Sequence, residues 1–599
     1  VNLVIIPRPD RLDEGPGRWT PTAELIDAVD SVRFGAESGT PALTFEAAEG
    51  AAGAYRLTAG PNGISVTAGD AEGRWNAMMT LRQVLRQTDG SGTLPTLSVE
   101  DAPVFAVRGV MLDISRTRIP TLATIRRLID LWSELKVNQV QLYTEHTFAY
   151  EGHDAVWKDA SPYTGADIEA IDAYCRDRGI ELVPNQNSFG HMERWFRHPE
   201  YEKYTESPEG FEDPWGVYRD VPTTLDLSKP ESLVFLESLF DQLLPHFSSR
   251  RFNIGGDEPF DLGKGSNRER CERDGVGKVY LDFLKRIIAA VQKRDRVPQF
   301  WADILLNYPE LLPEVPRDVE VMNWGYEADH PFEAETAVLA ETDRCFHVCP
   351  GTSAWNSLTG RWTNARTNIR SAAHWGRVRG AEGLLVTDWG DNGHKQQYVV
   401  SAPGWFAAAA AAWNGPSGAD EDIRTALQIH LFGNPGGSEA DGLLALGDLY
   451  RENPVKLHNM SFLILPLLDH EYPYYRREYP RIRAGGTGRA RRIAGDVVAA
   501  LEGGGNDRPG GSAASGAFWR RQLEFSARIA AFAADLAEAF FSAEDFTVER
   551  IPAERRHSLA RNLEVLMDAY EALWREFCRP GGLDESLDGF SGLLELLKS

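Results

Sequence analysis

The stretch Arg251-Phe-Asn-Ile-Gly-Gly-Asp-Glu258 decides how this chain is read. Phe252 and Ile254 alternate with polar neighbours as along a strand, and Gly255 and Gly256 then let the backbone turn where a side chain would obstruct. Asp257 and Glu258 follow at the strand's C-terminal end, where an α/β barrel carries its chemistry. Two adjacent carboxylates there repel one another unless a substrate or a partner uses them. A solvated turn is the plainer reading of these four residues taken alone. Similar strand ends recur along the middle of the chain, and that recurrence favours a site.

Working outward, candidate strands fall at Val107–Ile114, Val137–Thr144, Ile180–Asn187, Arg251–Gly256, Pro298–Ile304, Val319–Trp324, Cys345–Gly351 and Gly383–Trp389. Amphipathic helices are expected at Leu122–Leu135, Ala166–Arg178, Ser232–Phe247, Val276–Arg294 and Ala365–Val378. This alternation describes a (β/α)8 barrel better than an open sheet, and no Gly-rich phosphate loop follows the first strand.

Residues 1–100 read as a small α+β domain, with strands at Val1–Ile6 and Gly63–Ala68 and a helix at Trp75–Arg86. Residues 101–400 are expected to hold the barrel, and residues 401–599 a helical domain. Its helices are expected at Leu443–Arg451, Val455–Leu468, Arg489–Leu501, Ala517–Phe541 and Ala553–Phe577, with Gly-rich breaks at Gly485–Gly488 and Gly503–Ser512. The second break reads as a mobile loop. The fold class is thus α/β: a TIM barrel with an N-terminal α+β domain and a C-terminal all-helical domain, which buttresses the barrel or forms a homo-oligomer interface.

A chain of 599 residues exceeds one core, and its net charge of −25 argues against a nucleic-acid partner. The cysteines, Cys175, Cys271, Cys345, Cys349 and Cys578, are too sparse for a disulfide framework. Cys345 and Cys349 lack zinc-type spacing and read as packing residues. No apolar run reaches the ~18 residues of a membrane span. With few cysteines and no visible signal peptide, a cytoplasmic location is favoured, although the chain begins at Val1.

In a barrel the C-terminal strand ends would gather Arg108, Glu145 and His146, Asn187 and His191, and the Asp257–Glu258 pair. Trp301 with Asp303, Trp324, Trp355 with Asn356, and Trp389 with Asp391 would follow from the later strands. Any one of these tryptophans reads first as core. Together they favour stacking on the apolar faces of a sugar, with acids, Asn and Arg on its hydroxyls. Glycoside cleavage needs a protonated acid beside the leaving oxygen and a means to stabilise positive charge at the anomeric carbon. A tandem Asp-Glu suits the variant in which the substrate's acetamido oxygen attacks that carbon. Glu258 would be the acid, and Asp257 would hold the acetamide N–H and stabilise an oxazolinium-like intermediate.

These residues resemble glycoside hydrolase family 20, the β-N-acetylhexosaminidases. The resemblance rests on Arg108-Gly-Val-Met-Leu-Asp113 with Ser115-Arg116, on Lys136-Val-Asn138, and on Pro184 through Gly190-His191. It continues in Asn253-Ile-Gly-Gly-Asp-Glu258 and Trp389-Gly-Asp391, all in the family's order, and covers roughly residues 1–400. It implies Glu258 as general acid/base and Asp257 as the acetamide-orienting residue. It further implies that Arg108 and Asp391 grip the outer hydroxyls, that Trp301, Trp324 and Trp389 wall the N-acetyl pocket, and that His191 supports the acid pair.

Several positions depart from the family's pattern. Asn253 stands where a His is usual, the second strand ends Tyr-Thr-Glu145-His146, and Asp391 replaces a longer Glu. No clear strand-seven Tyr is present; Cys349-Pro-Gly-Thr-Ser-Ala-Trp-Asn356 stands there, so Trp355 or Asn356 could substitute. The Cys-Pro-Gly-Thr-Ser motif resembles branches related to hexosaminidase D, which implies that galactosamine-type substrates are accepted or preferred. The expected partner is therefore an oligosaccharide or glycoconjugate with a terminal N-acetylhexosamine, and no cofactor or metal is expected. Alternatives are a glycosidase for a modified, for example sulfated, hexosamine, and a catalytically silent sugar-binding protein. A metal enzyme using Asp257, Glu258, Glu145 and His146 is a more remote one.

Overall fold

A computed structural model describes residues 3–36, 42–88, 92–469, 472–503 and 513–599. The N-terminal sheet contains β1 (Arg11–Trp19), β2 (Leu43–Ala47), β3 (Tyr55–Gly60), β4 (Gly63–Ala68) and β5 (Leu94–Asp101), in the order β1-β5-β3-β4-β2. Only β2 and β4 pair in parallel. The buried face of helix Ala71–Leu85, with Trp75, Met78, Met79 and Leu81, shares a core with Leu57, Val66 and Val99 of the sheet. Residues 3–6 of the expected strand Val1–Ile6 are not a strand, and residues 1–2 lie outside the described residues. The N–H groups of Val4 and Ile6 donate instead to the side-chain oxygens of Gln87 and Gln83 at 2.9 and 2.8 Å, so this segment is tied to a helix.

The middle of the chain is a closed parallel barrel, as the strand and helix alternation predicts. Its strands are β6 (Val107–Asp113), β7 (Gln139–Thr144), β8 (Glu181–Gln186), β11 (Arg251–Asn253), β12 (Val297–Trp301), β13 (Glu320–Trp324), β14 (Phe346–Cys349) and β15 (Gly383–Asp388). A two-stranded hairpin, β9 (Phe211–Glu212) with β10 (Tyr218–Arg219), interrupts the loop after β8.

Strand alternation sorts the side chains. Val110 and Leu112 of β6 face the helical ring and share its core with Ile125, Leu128, Ile129 and Trp132 of helix Leu122–Glu134. That helix starts where the Thr121 hydroxyl accepts the Thr124 N–H at 3.2 Å. Met111 points inward, into a separate cluster with Tyr143, Trp301, Met322, Cys349, Leu385 and Trp389. Beneath that cluster lies a polar layer. Gln141 donates to Gln299 at 2.9 Å and accepts from Asn185 and Asn253 at 3.0 and 3.1 Å, while Gln299 donates to Glu320 at 2.6 Å. Asn253 thus belongs to the layer under the site.

The helix after β15, Tyr398–Asn414, packs on β15 and β6 and completes the ring across position 400. Helices Ala513–Ser542 and Ala553–Phe577 pack together, and the first also packs on Tyr398–Asn414. Where one helix was expected at Val455–Leu468, only a 3-10 turn (Phe462–Ile464) and the short helix Leu465–Leu468 form. Pro466, which has no N–H to give, sits in that helix's first turn. A final helix, Leu583–Lys598, was not anticipated. The break expected at Gly503–Ser512 lies, from residue 504 on, outside the described residues.

Candidate active site

After β11 the backbone turns through Gly255 (φ +72°) and Gly256 (φ +93°). A Cβ on Gly255 would stand 2.5 Å from the Asn187 Oδ1, so only glycine fits against the loop that follows β8. That loop closes on the acid pair from the other side, since a Cβ on Gly190 would lie 2.4 Å from the Asp257 carbonyl oxygen. It thereby brings His191 Nε2 to 3.3 Å from Asp257 Oδ2 and 3.6 Å from Glu258 Oε2. Asn187 Nδ2 donates to Asp257 Oδ1 at 3.0 Å.

The two neighbouring carboxyls are driven apart. Burial is the largest influence on Asp257 and works to raise its pKa, but the charge of His191 and hydrogen bonds from His191 and Asn187 outweigh it, so the pKa is lowered. Asp257 in turn lifts His191 to about 10 against burial. Glu258 is raised to about 7, first by burial and then by Asp257 and Asp391, which outweigh His191. A third of the Glu258 side chain still reaches the open pocket, against 7% for Asp257. Asp303 Oδ2 accepts the Glu258 N–H at 3.3 Å, and burial with the two neighbouring acids pushes Asp303 well above the ordinary range. Around the pair the site therefore holds one fixed anion, the His191 cation beside it and acids poised to keep a proton.

Arg108 is not part of it. It lies at the start of β6, and its guanidinium donates to the carbonyls of Lys136, Phe105 and Ala106 at 2.9, 3.0 and 3.2 Å and pairs with Glu72 of the N-terminal domain. Strand direction places this end at the floor of the barrel, so the expected grip of Arg108 on a sugar is corrected to a tie between domains. Arg116, beyond the other end of β6, takes the position in the pocket. Its guanidinium lies 3.1 Å from Asp113 and 3.2 Å from Glu145, over the rings of Tyr143 and Trp389. Glu145 also accepts the Tyr143 hydroxyl at 2.9 Å and, chiefly through burial, rises to about 7. Asp391 is raised as well, with burial as the first cause and Arg116 opposing it. His146 is buried, and burial first, then nearby arginines, hold it well below its usual pKa.

The tryptophans meet around one residue that the sequence reading missed. Tyr326, two residues beyond β13, accepts the Trp389 Nε1–H at 2.8 Å. Trp324 stacks on it with ring centroids 5.0 Å apart, and Trp355 meets it edge-on at 5.1 Å. Trp301, the last residue of β12, is fully buried and lies 6.3 Å from Trp389, beneath the pocket. Trp355 is nearly as buried, so it backs Tyr326. Asn356, next to Trp355, is buried, and its Oδ1 accepts from Asn392 at 2.8 Å. A tyrosine two residues past a strand ending in Trp was the available signal.

Among the described residues, two groups have metal-like spacing: Glu145, His191 and Glu193, and Glu320, Cys345 and His347. In the first, Arg116 already neutralises Glu145 and His191 carries the proton a metal would displace. In the second, Arg251, Gln299 and His347 already occupy the Glu320 oxygens.

A poised acid next to a fixed carboxylate, walled by tryptophans at the C-terminal end of a (β/α)8 barrel, is the site of a glycoside hydrolase. The family models agree: residues 105–399 match the glycosyl hydrolase family 20 catalytic domain, and residues 5–102 match domain 2 of that family. The chain belongs to glycosyl hydrolase family 20. Human hexosaminidase D is 25% identical over 379 residues, covering 60% of this chain and 73% of its own, and the Bos taurus hexosaminidase D is 27% identical over 290 residues, covering 45% and 80%. The chitobiase of Flavobacterium johnsoniae shares the fold along 96% of this chain and 98% of its own, with TM-score 0.57 and 15% identity.

Proposed function

We propose that this hexosaminidase is exo-acting and retaining, and that it releases terminal β-linked N-acetylgalactosamine, N-acetylglucosamine or both through an oxazolinium intermediate. The observation that carries the reading is the unequal placement of two adjacent carboxyls: Asp257 is enclosed, bonded by Asn187 at 3.0 Å and paired with His191 at 3.3 Å, while a third of the Glu258 side chain reaches the pocket, an arrangement that favours an ionised Asp257 and a protonated Glu258. The acetamido oxygen attacks the anomeric carbon while Glu258 gives its proton to the departing oxygen and the glycosidic C–O bond breaks. Asp257 accepts the acetamide N–H and faces the positive charge that develops on the ring. Tyr326 accepts from Trp389 and keeps its own proton to donate to the acetamide oxygen. Glu258, now a carboxylate, takes a proton from the water that opens the intermediate and restores the β-anomer.

Arg116, Glu145 and Asp391 hold the outer hydroxyls. Initial rates on the 4-nitrophenyl β-glycosides of both N-acetylhexosamines, for the wild type and Glu258→Gln, test the reading. Turnover that collapses in the variant is expected, and the ratio of rates names the preferred epimer. Turnover of neither sugar, or turnover untouched by the substitution, would overturn it.

A further inference from the structure

Helices Ala553–Phe577 and Leu583–Lys598 lie beyond residues 105–399, which match the family's catalytic domain, yet they reach the backs of two loops that carry the pocket. Those loops need holding. Thr117, next to Arg116, has φ +79°, and Asn392, Gly393 and His394, directly after Asp391, have φ +57°, +88° and +45°. Residues other than glycine keep such left-handed backbone only where their surroundings over-determine it. Here a line of hydrogen bonds through the C-terminal helices joins the two loops. Arg118 Nη2 donates to the Tyr570 hydroxyl at 2.9 Å, Tyr570 lies 2.7 Å from Ser586 Oγ, and Ser586 bonds the Gly393 carbonyl. A carbonyl can only accept, so Ser586 gives its proton to Gly393 and Tyr570 gives its own to Ser586. Arg118, Tyr570 and Ser586 are each at most 1% exposed, which keeps water from competing for these bonds.

The start of the last helix is fitted as closely. A Cβ on Gly582 (φ +76°) would stand 2.3 Å from the Thr117 carbonyl oxygen, and one on Gly393 would stand 3.2 Å from the Ser586 Cα. Next to Ser586, Glu585 accepts the forked guanidinium of Arg194, three residues after His191. The two loops also meet directly, with Thr117 Oγ1 donating to the Gly393 carbonyl at 3.1 Å, so the helices set a spacing between loops already in contact. We propose that Tyr570 and Ser586 are positioning residues for the reaction: from behind the loops they fix Arg116 and Asp391 at the spacing that grips the outer hydroxyls of the terminal sugar. Both are buried, so they act through the loops and not on the substrate. The inference rests on the grip proposed above, and it makes the C-terminal helical region part of the framework that decides how well the sugar is held.

The test uses the full chain and the 4-nitrophenyl β-glycoside of whichever N-acetylhexosamine it turns over faster. Tyr570→Phe keeps the ring beneath the Arg118 guanidinium and removes only the hydroxyl. Ser586→Ala breaks the same line of bonds and leaves Arg118 its tyrosine, so it gives a second route if the first variant folds poorly. Each is expected to raise KM roughly fivefold, the worth of one hydrogen bond, with kcat within about twofold of wild type. In an Arg116→Ala/Asp391→Asn background the same substitutions should move KM by less than about twofold, because the groups they position are gone. Assays well below each variant's melting midpoint keep loss of fold from imitating loss of grip. Equal rises in KM in both backgrounds, or no rise in the wild-type background, would overturn the positioning role. A wild type that turns over neither sugar, or a KM unmoved by Arg116→Ala/Asp391→Asn alone, would instead overturn the underlying reading of the site and this inference with it.

Discussion

The first barrel strand carries an arginine near each end, and the two have opposite fates. At the floor, Arg108 is 2% exposed and its donors are spent on three backbone carbonyls and Glu72. At the mouth, Arg116 faces Asp113, Glu145 and two aromatic rings inside a pocket. The layers around them differ in the same way. On the floor, Arg251 bonds Glu181 and Glu320, and amides close the remaining valences. At the mouth, Glu145, Asp257, Glu258, Asp303 and Asp391 crowd around His191 and Arg116. One end has its charges settled within the protein. The other keeps protons and hydrogen-bonding capacity in reserve for a substrate, and that imbalance marks the active end.

The comparison breaks most sharply at Glu258. Glu258→Gln keeps the shape and removes the transferable proton, so kcat should fall by about 10³-fold or more while the thermal midpoint holds. Asp257→Asn leaves the developing positive charge unopposed, and a loss of roughly 10²-fold in kcat is expected. Steady-state kinetics beside thermal melts read both.

The arginines themselves sharpen it. Arg116→Ala should lower kcat/KM by about 10- to 100-fold, the worth of a charged hydrogen bond to a hydroxyl. Arg108→Ala should instead cost stability, about 3 kcal/mol for a broken buried pair, with KM retained. If Arg108→Ala raised KM and left the melting curve alone, the two ends would have been misassigned.

The smallest effect is in the pH profile. Activity needs Asp257 ionised and Glu258 protonated. The alkaline limb should therefore fall through about pH 7, while the acid limb lies below the ordinary carboxylate value of 3.8. His191→Asn removes the cation that lowers Asp257, so its acid limb should move to higher pH. An acid limb that stayed put would deny His191 that part.

Much of the barrel is legible in the sequence because each of its strands is bounded by turn residues and followed by a periodic helix or a loop. The acid pair is legible because two glycines and two acids at a strand end leave few alternatives. Arg108 misled because residue type was read without its place along the strand: it follows Val107, the first residue of β6, whereas Arg116 lies three residues past Asp113. Tyr326 was missed because the tyrosine was sought after the seventh strand, and here it comes from the sixth. Its role depends on Trp324, Trp355 and Trp389 meeting at one point, and sequence spacing carries no such information. The Arg118–Tyr570 bond joins residues far apart in the chain and is visible only once the C-terminal region is placed against the barrel.

The most direct test of the mechanism at the active end is the wild-type rate on 4-nitrophenyl glycosides whose N-acetyl group carries zero to three fluorines. If the substrate's own amide oxygen attacks while Asp257 steadies it, kcat/KM should fall steeply with each fluorine. Equal rates along the series would contradict the account, because a nucleophile supplied by the protein or by water would not depend on the basicity of that oxygen.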